Sequence, residues 1–130
     1  MAHEFQVDIE SRRLDILTSG TLSLKEAEEL IEGAERLCRR HALKSVLVDL
    51  HYRIANLDDL ALYRIACGWA EAARGRMRTA FVKGNFPELD RYFGEVAREH
   101  GVAWGLFETR AEAELWLGRK MTPAGPLDGA

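Results

Sequence analysis

The sequence predicts a single α/β domain built on a five-stranded, mostly parallel mixed sheet with helices on both faces. Three observations carry this prediction. Ser45–Leu50 is a continuous, valine-rich apolar run of the kind found in strands covered on both sides, and Arg78–Val82 reads as a second buried strand. Segments with helical periodicity alternate with these runs. Two short strand-like stretches open the chain and add one antiparallel strand, placed at an edge of the sheet. The order is β-β-α-β-α-β-α-β-α, with right-handed crossovers.

The opening hairpin rests on alternation. Phe5, Val7 and Ile9 face one way, Gln6 and Asp8 the other, and Leu14 to Leu17 form a second apolar run. The polar stretch Glu10-Ser11-Arg12 between them suits a turn, which gives strands at about 3–10 and 13–18. Gly20 breaks the pattern. Ser23-Leu-Lys-Glu26 is a capping box, in which each side chain can reach the other residue's backbone N–H. Ala27, Leu30, Ile31, Ala34, Leu37 and Cys38 then make one apolar stripe. Acids lead and Arg39, Arg40 and His41 trail, as the helix dipole favours.

After the Ser45–Leu50 strand, His51–Ala55 is expected as a loop, with Asn56 capping a helix near 57–74. That helix should bury Leu57, Leu60, Ala61, Ile65, Trp69 and Ala73, and Gly75 should end it. Gly84-Asn85 closes the Arg78–Val82 strand. Pro87 suits the first turn of a helix over 87–100, with Leu89, Tyr92, Phe93, Val96 and Ala97 on its apolar face. Gly101 fits the left-handed position past that helix. Val102–Phe107 is the last strand, and Thr109-Arg-Ala-Glu112 is a second capping box opening a helix through Leu117. Residues 1–118 form the domain, and 119–130, with Pro123, Gly125, Pro126 and Gly129, read as a loose tail.

Composition narrows the function classes. The chain has 130 residues, 47% apolar and 30% charged, enough for one core and too apolar for a disordered chain. A net charge of −3 lacks the basic excess of a nucleic-acid binder. Cys38 and Cys67 fit neither a CxxC nor a zinc spacing; both read as small buried residues of a reducing compartment. MAHEFQVDIE has no basic region followed by an apolar run, and no stretch approaches the roughly 20 apolar residues of a membrane span. A cytoplasmic location follows as the expectation.

The common catalytic signatures are missing: no phosphate-binding glycine loop, no GxGxxG, no GxSxG and no HExxH. No cofactor and no metal are expected. His41 and His100 fall at helix C-termini, where the dipole explains them, and His3 lies near the terminus. The three tryptophans, Trp69, Trp104 and Trp116, have apolar neighbours and read as core. Arg74, Arg76 and Arg78 make the densest basic cluster, at a helix end that favours cations anyway.

Binding sites in open parallel sheets form outside the carboxyl ends of the strands. That edge should collect His51, Tyr52, Arg53, Asn56 and Asp58 after one strand, and Lys83 and Asn85 after the next. These seven are the candidate binding residues, and His51 is the best-placed candidate base. Solvated loop and capping roles explain the same residues without a ligand.

The element order, with Val48-Asp49-Leu50 feeding a loop and a helix start, resembles the STAS and SpoIIAA-like superfamily over about residues 5–118. That group includes anti-sigma-factor antagonists, domains of sulfate transporters, stressosome proteins and many stand-alone bacterial proteins. In the antagonists an Asp-Ser pair opens this helix and the serine is phosphorylated. Here the segment reads Asn56-Leu57-Asp58-Asp59, with no Ser or Thr from His51 to Met77, so the phosphoswitch does not carry over. Asp58 falls near the phosphoserine position. The resemblance implies a non-catalytic interaction or regulatory module with a protein partner, or with a second copy in a homodimer. The alternative it implies is a small-ligand or lipid carrier, since SpoIIAA-like proteins resemble SEC14-type domains in overall fold. An enzyme ranks last, because no second catalytic group accompanies His51.

Overall fold

The computed structural model describes residues 2–50, 53–55, 58–73, 77–83 and 88–118. The hairpin comes first, as β1 (Ala2–Asp8) and β2 (Arg13–Leu22). They are antiparallel, with Phe5 opposite Ile16 and Val7 opposite Leu14. Then follow α1 (Leu24–His41), β3 (Ser45–Asp49), β4 (Arg53–Ala55), α2 (Asp59–Ala73) and β5 (Arg78–Val82). The chain goes on through α3 (Glu88–His100), β6 (Ala103–Phe107) and α4 (Arg110–Gly118).

The main sheet has the order β1-β2-β3-β5-β6, and every pairing after the hairpin is parallel. This order explains the layers. The strands step across the sheet in one direction, so right-handed crossovers must deliver α1, α2 and α3 to the same face. α4 follows the last strand, is not a crossover, and packs on the opposite face against β3, β5 and β6.

The covered faces follow from strand periodicity. Leu14, Ile16, Val46, Val48 and Phe81 are at most 1% exposed beneath the three-helix layer. Phe81 is the hub of a ring cluster, in edge-on contact with Trp69, Phe93 and Trp104 at centroid distances of 5.8, 4.9 and 5.3 Å. On the other face Leu47, Ala80, Val82 and Ala113 form a smaller cluster under Phe107, Trp116 and Leu117. Gly105 is needed there: a Cβ on it would sit 2.5 Å from the Phe107 ring.

The cap that opens α1 and the glycine after α3 are where the sequence places them. The Ser23–Glu26 box is reciprocal, and α1 ends on Ala42 at φ 55°, its N–H donating to the Cys38 carbonyl. Gly101 is left-handed at φ 67°, one residue beyond α3.

Five expectations are corrected. β2 does not stop near 18 but continues through Gly20, at φ 81°, to Leu22. The cause is the second correction: the stretch expected as a loop contains β4, which pairs in parallel with the far end of β2, Gly20 opposite Arg53. Third, Ile9 lies in the turn rather than on the strand and is 61% exposed. Fourth, Leu60 is 68% exposed, because the buried line of α2 runs through Leu62, Ile65, Ala66, Trp69, Ala70 and Ala73. At 100° per residue that line leaves Leu60 on the far side. Fifth, Cys38 is buried as expected, but Cys67 is half-buried. The tail 119–130, Leu57, Gly75, Gly84 and Pro87 lie outside the described residues.

Candidate functional site

The carboxyl edge of the sheet is built from main-chain hydrogen bonds that hold three strand ends level. The Leu50 N–H donates to the Val82 carbonyl at 2.8 Å, and the Lys83 N–H donates to the Phe107 carbonyl at 2.9 Å. Residues just past β3, β5 and β6 are thereby held along one edge. Of the seven candidate residues, His51, Tyr52, Asn56 and Asn85 lie outside the described residues. Arg53 opens β4, placed by its pairing with Gly20.

Asp58 has a definite role. Its Oδ1 accepts from the Ala61 N–H at 2.9 Å, and its carbonyl accepts from the Leu62 N–H at 3.0 Å. It is the N-cap of α2, the position sequence reasoning gave to Asn56. A carboxylate suits that place because it satisfies an orphan N–H and meets the positive end of the dipole. At the equivalent point of the next crossover, Lys83 is half-buried and lines an open hollow of about 520 Å³. Leu106, Phe107 and Trp116 form its apolar side, Glu108 and Glu112 its acidic side, and Leu115, 69% exposed, stands at its rim. α4 makes this hollow by crossing the ends of β5 and β6. Its first turn is fixed by the Glu112 N–H donating to Thr109 Oγ1 at 3.2 Å.

Beside the hollow is a group that sequence reasoning missed. Asp15 on β2 and Asp49 on β3 are 7% and 5% exposed, and both point toward α4. Arg110, the first residue of α4, bonds the Asp15 carboxylate and stands 3.5 Å from Asp49 Oδ2. Its Nε donates to Glu114 Oε2 at 2.9 Å. Arg13 grips the other side of Asp15 at 2.7 and 3.2 Å. Burial works against the charge of Arg110, but Asp15 and Glu114 more than offset it and raise its pKa further. The arrangement is a clamp: two buried carboxylates hold the start of α4 against the sheet. One sequence signal existed, since Asp15 interrupts the apolar run Leu14–Leu17.

The remaining candidates have structural partners. The Arg78 guanidinium lies 4.0 Å from the centroid of the Trp116 ring, a cation–π contact that braces α4; Arg74 and Arg76 are outside the described residues. Among the described residues no three His, Cys, Asp or Glu side chains form a group able to hold a metal ion. No described helix is long and apolar enough to cross a membrane.

No protein-family model matches the chain, and no curated protein matches it. Among solved structures it is similar to an uncharacterized protein of the DUF3478 family from Shewanella loihica PV-4, described as having a SpoIIAA-like fold. The two share 16% identity, with 89% of this chain and 92% of that chain covered at a TM-score of 0.58. This chain has a SpoIIAA-like fold. At that identity the likeness carries the architecture alone. For the SpoIIAA-like chain described here, the expected parallel sheet, the edge hairpin and the buried strand positions Val46, Val48, Ala80 and Val82 all hold.

Proposed function

We propose that this SpoIIAA-like chain is a non-catalytic interaction module that receives a protein partner at the carboxyl edge, in the hollow between β6 and α4. The observation that carries this reading is the hollow itself: an open, mixed surface with an apolar wall of Phe107 and Trp116, an exposed Leu115 and charges of both signs around it. Such an apolar centre with a polar rim is the usual anatomy of a protein interface. Regulation in this reading works by occupancy, not phosphorylation, because the start of α2 offers the capping carboxylate of Asp58 and no hydroxyl.

A second reading, a small-ligand carrier, has one observation in its favour: about 520 Å³ lies within the usual range of ligand pockets, roughly 300–1,000 Å³. The openness of the hollow favours the protein partner, since carriers bury most of their ligand.

One experiment separates the two. The chain is purified from its own host under native conditions and weighed by native mass spectrometry, then compared with Leu115→Asp and Lys83→Glu variants. A retained protein lost in either variant, at unchanged melting temperature, supports the interaction reading. Truncating an interface anchor commonly costs about 2 kcal/mol, or roughly thirtyfold in affinity. A retained small molecule instead supports the carrier. A partner that survives both substitutions at equal affinity overturns the assignment of this edge.

A further inference from the structure

The outward side of α1 carries charge along its whole length, and the signs are segregated. Glu28, Glu29 and Glu32 are exposed on the N-terminal half, and Arg36, Arg39 and Arg40 are exposed on the C-terminal half. The helix dipole explains charges within the first and last turns, but Glu28, Glu29, Glu32 and Arg36 lie inside them. Two like-charged pairs stand four residues apart, Glu28 with Glu32 and Arg36 with Arg40, and each costs the isolated helix a little, although Glu32 and Arg36 themselves are at a favourable spacing. Within α1 the ion pair formed is Glu35 with Arg39 at 2.9 Å. Glu29, Glu32, Arg36 and Arg40 make no ion pair among the described residues.

Alongside this face runs a groove of about 430 Å³ between α1 and α2. Ile31 and Gly68 form its floor, and four carboxylates, Glu28, Glu29, Glu32 and Glu35, line its α1 wall with Lys25 at one end. Arg64 reaches across from α2 to Glu28 at 3.5 Å. An apolar floor below carboxylates matches the shape of an arginine side chain, whose methylene stem packs while its guanidinium pairs.

We propose that α1 is a self-complementary dimer surface, on which a second copy of this chain sets its own α1 antiparallel across a two-fold axis. With the axis level with residue 34, Glu28 of one copy faces Arg39 of the other, Glu29 faces Arg40, and Glu32 faces Arg36. Symmetry repeats each pair, as an isologous contact requires. The arginines of each copy lie along the groove of the other, so the segregation that is unfavourable within one helix becomes favourable between two. The surface lies apart from the carboxyl-edge hollow, and the dimer leaves that hollow open. A contact so charged, with a small apolar floor, is weak and screened by salt.

Sedimentation velocity of the full chain tests this, at on the order of 100 µM protein in about 20 mM and about 500 mM NaCl. The expected result is a dimer at low salt that becomes a monomer at high salt. Single reversals at exposed positions, Glu29→Arg and Arg40→Glu, should each shift the low-salt sample toward monomer while the circular dichroism spectrum stays unchanged. An equimolar mixture of the two should regain a dimer, because each complementary reversal meets its opposite in the heterodimer. A wild-type chain that is monomeric at low salt overturns the proposal. So does a dimer that both reversals leave intact, since it must use another face.

Discussion

On one face of the sheet, three helices press on Leu14, Ile16, Val46, Val48 and Phe81, and the contact is almost wholly apolar. On the other face, the nine-residue α4 sets Ala113 on Leu47, Ala80 and Val82, and next to it Arg110 is clamped by Asp15, Asp49 and Glu114. The first arrangement gains its stability from area removed from water, which is indifferent to direction. The second depends on a few directed charge pairs, each of which leaves a costly orphan when broken. One face should therefore respond to volume and the other to charge.

The largest effect should come from the volume of the three-helix face. Phe81→Ala removes the hub of the ring cluster and should cost about 3–5 kcal/mol, read from the urea unfolding midpoint. A loss below that of the clamp variant would invert the comparison.

Arg110→Ala should come second. It strips Asp15 and Asp49 of a shared partner; because the Arg110 side chain is 35% exposed and water can partly replace it, the cost should be about 2 kcal/mol. Hydrogen exchange should quicken in α4 before it does in α1–α3. Adding Asp15→Asn should cost less than it does in the native chain, because Arg110→Ala has already broken the pair the two share and Asp15 keeps only Arg13. If Asp15→Asn adds fully to the damage, α4 is not held by this pairing.

The smallest effect is a titration of the dry face. Burial pushes the Cys38 thiol from 9.0 up to about 11. The neutral thiol is the form the fold accepts. Its contribution is therefore intact below the unfolded value of 9.0 and is lost as pH rises toward about 11. Urea midpoints taken at about pH 8 and about pH 10.5 should fall less steeply for Cys38→Ala than for the native chain. Equal slopes would mean that water reaches this thiol.

The difference between the faces also explains what was legible in the sequence. Ser23–Glu26, Gly101, and the runs Ser45–Leu50 and Arg78–Val82 declare themselves through neighbours only a few positions away. β4 escaped because three residues carry too little pattern, and its partner is the end of β2, more than thirty positions earlier. The clamp escaped for a stronger reason: Asp15 and Arg110 are 95 residues apart, and no local period links them. Asp58 caps α2, two positions beyond the expected Asn56. Leu60 went astray because the expected stripe was drawn too wide: at 100° per residue it lies opposite the line through Leu62, Ile65, Ala66 and Trp69.

The sheet order β1-β2-β3-β5-β6 runs in the same sense as the chain. Each strand of the main sheet finds its docking edge in the strand laid down before it, and β4 pairs back to β2, which is also already present. No pairing has to wait for a segment still inside the ribosome. At roughly 5–20 residues synthesised per second, each crossover of 20 to 28 residues leaves a second or more before the next strand emerges, far longer than loop closure or hairpin formation needs. The growing margin of the sheet is thus the one about to be covered, which shortens the time that edge is offered to another nascent chain, while the outer edge of β1 stays at the border of the sheet. α4 is the last of these elements to be made, and Arg110 then closes on two carboxylates already set in the sheet.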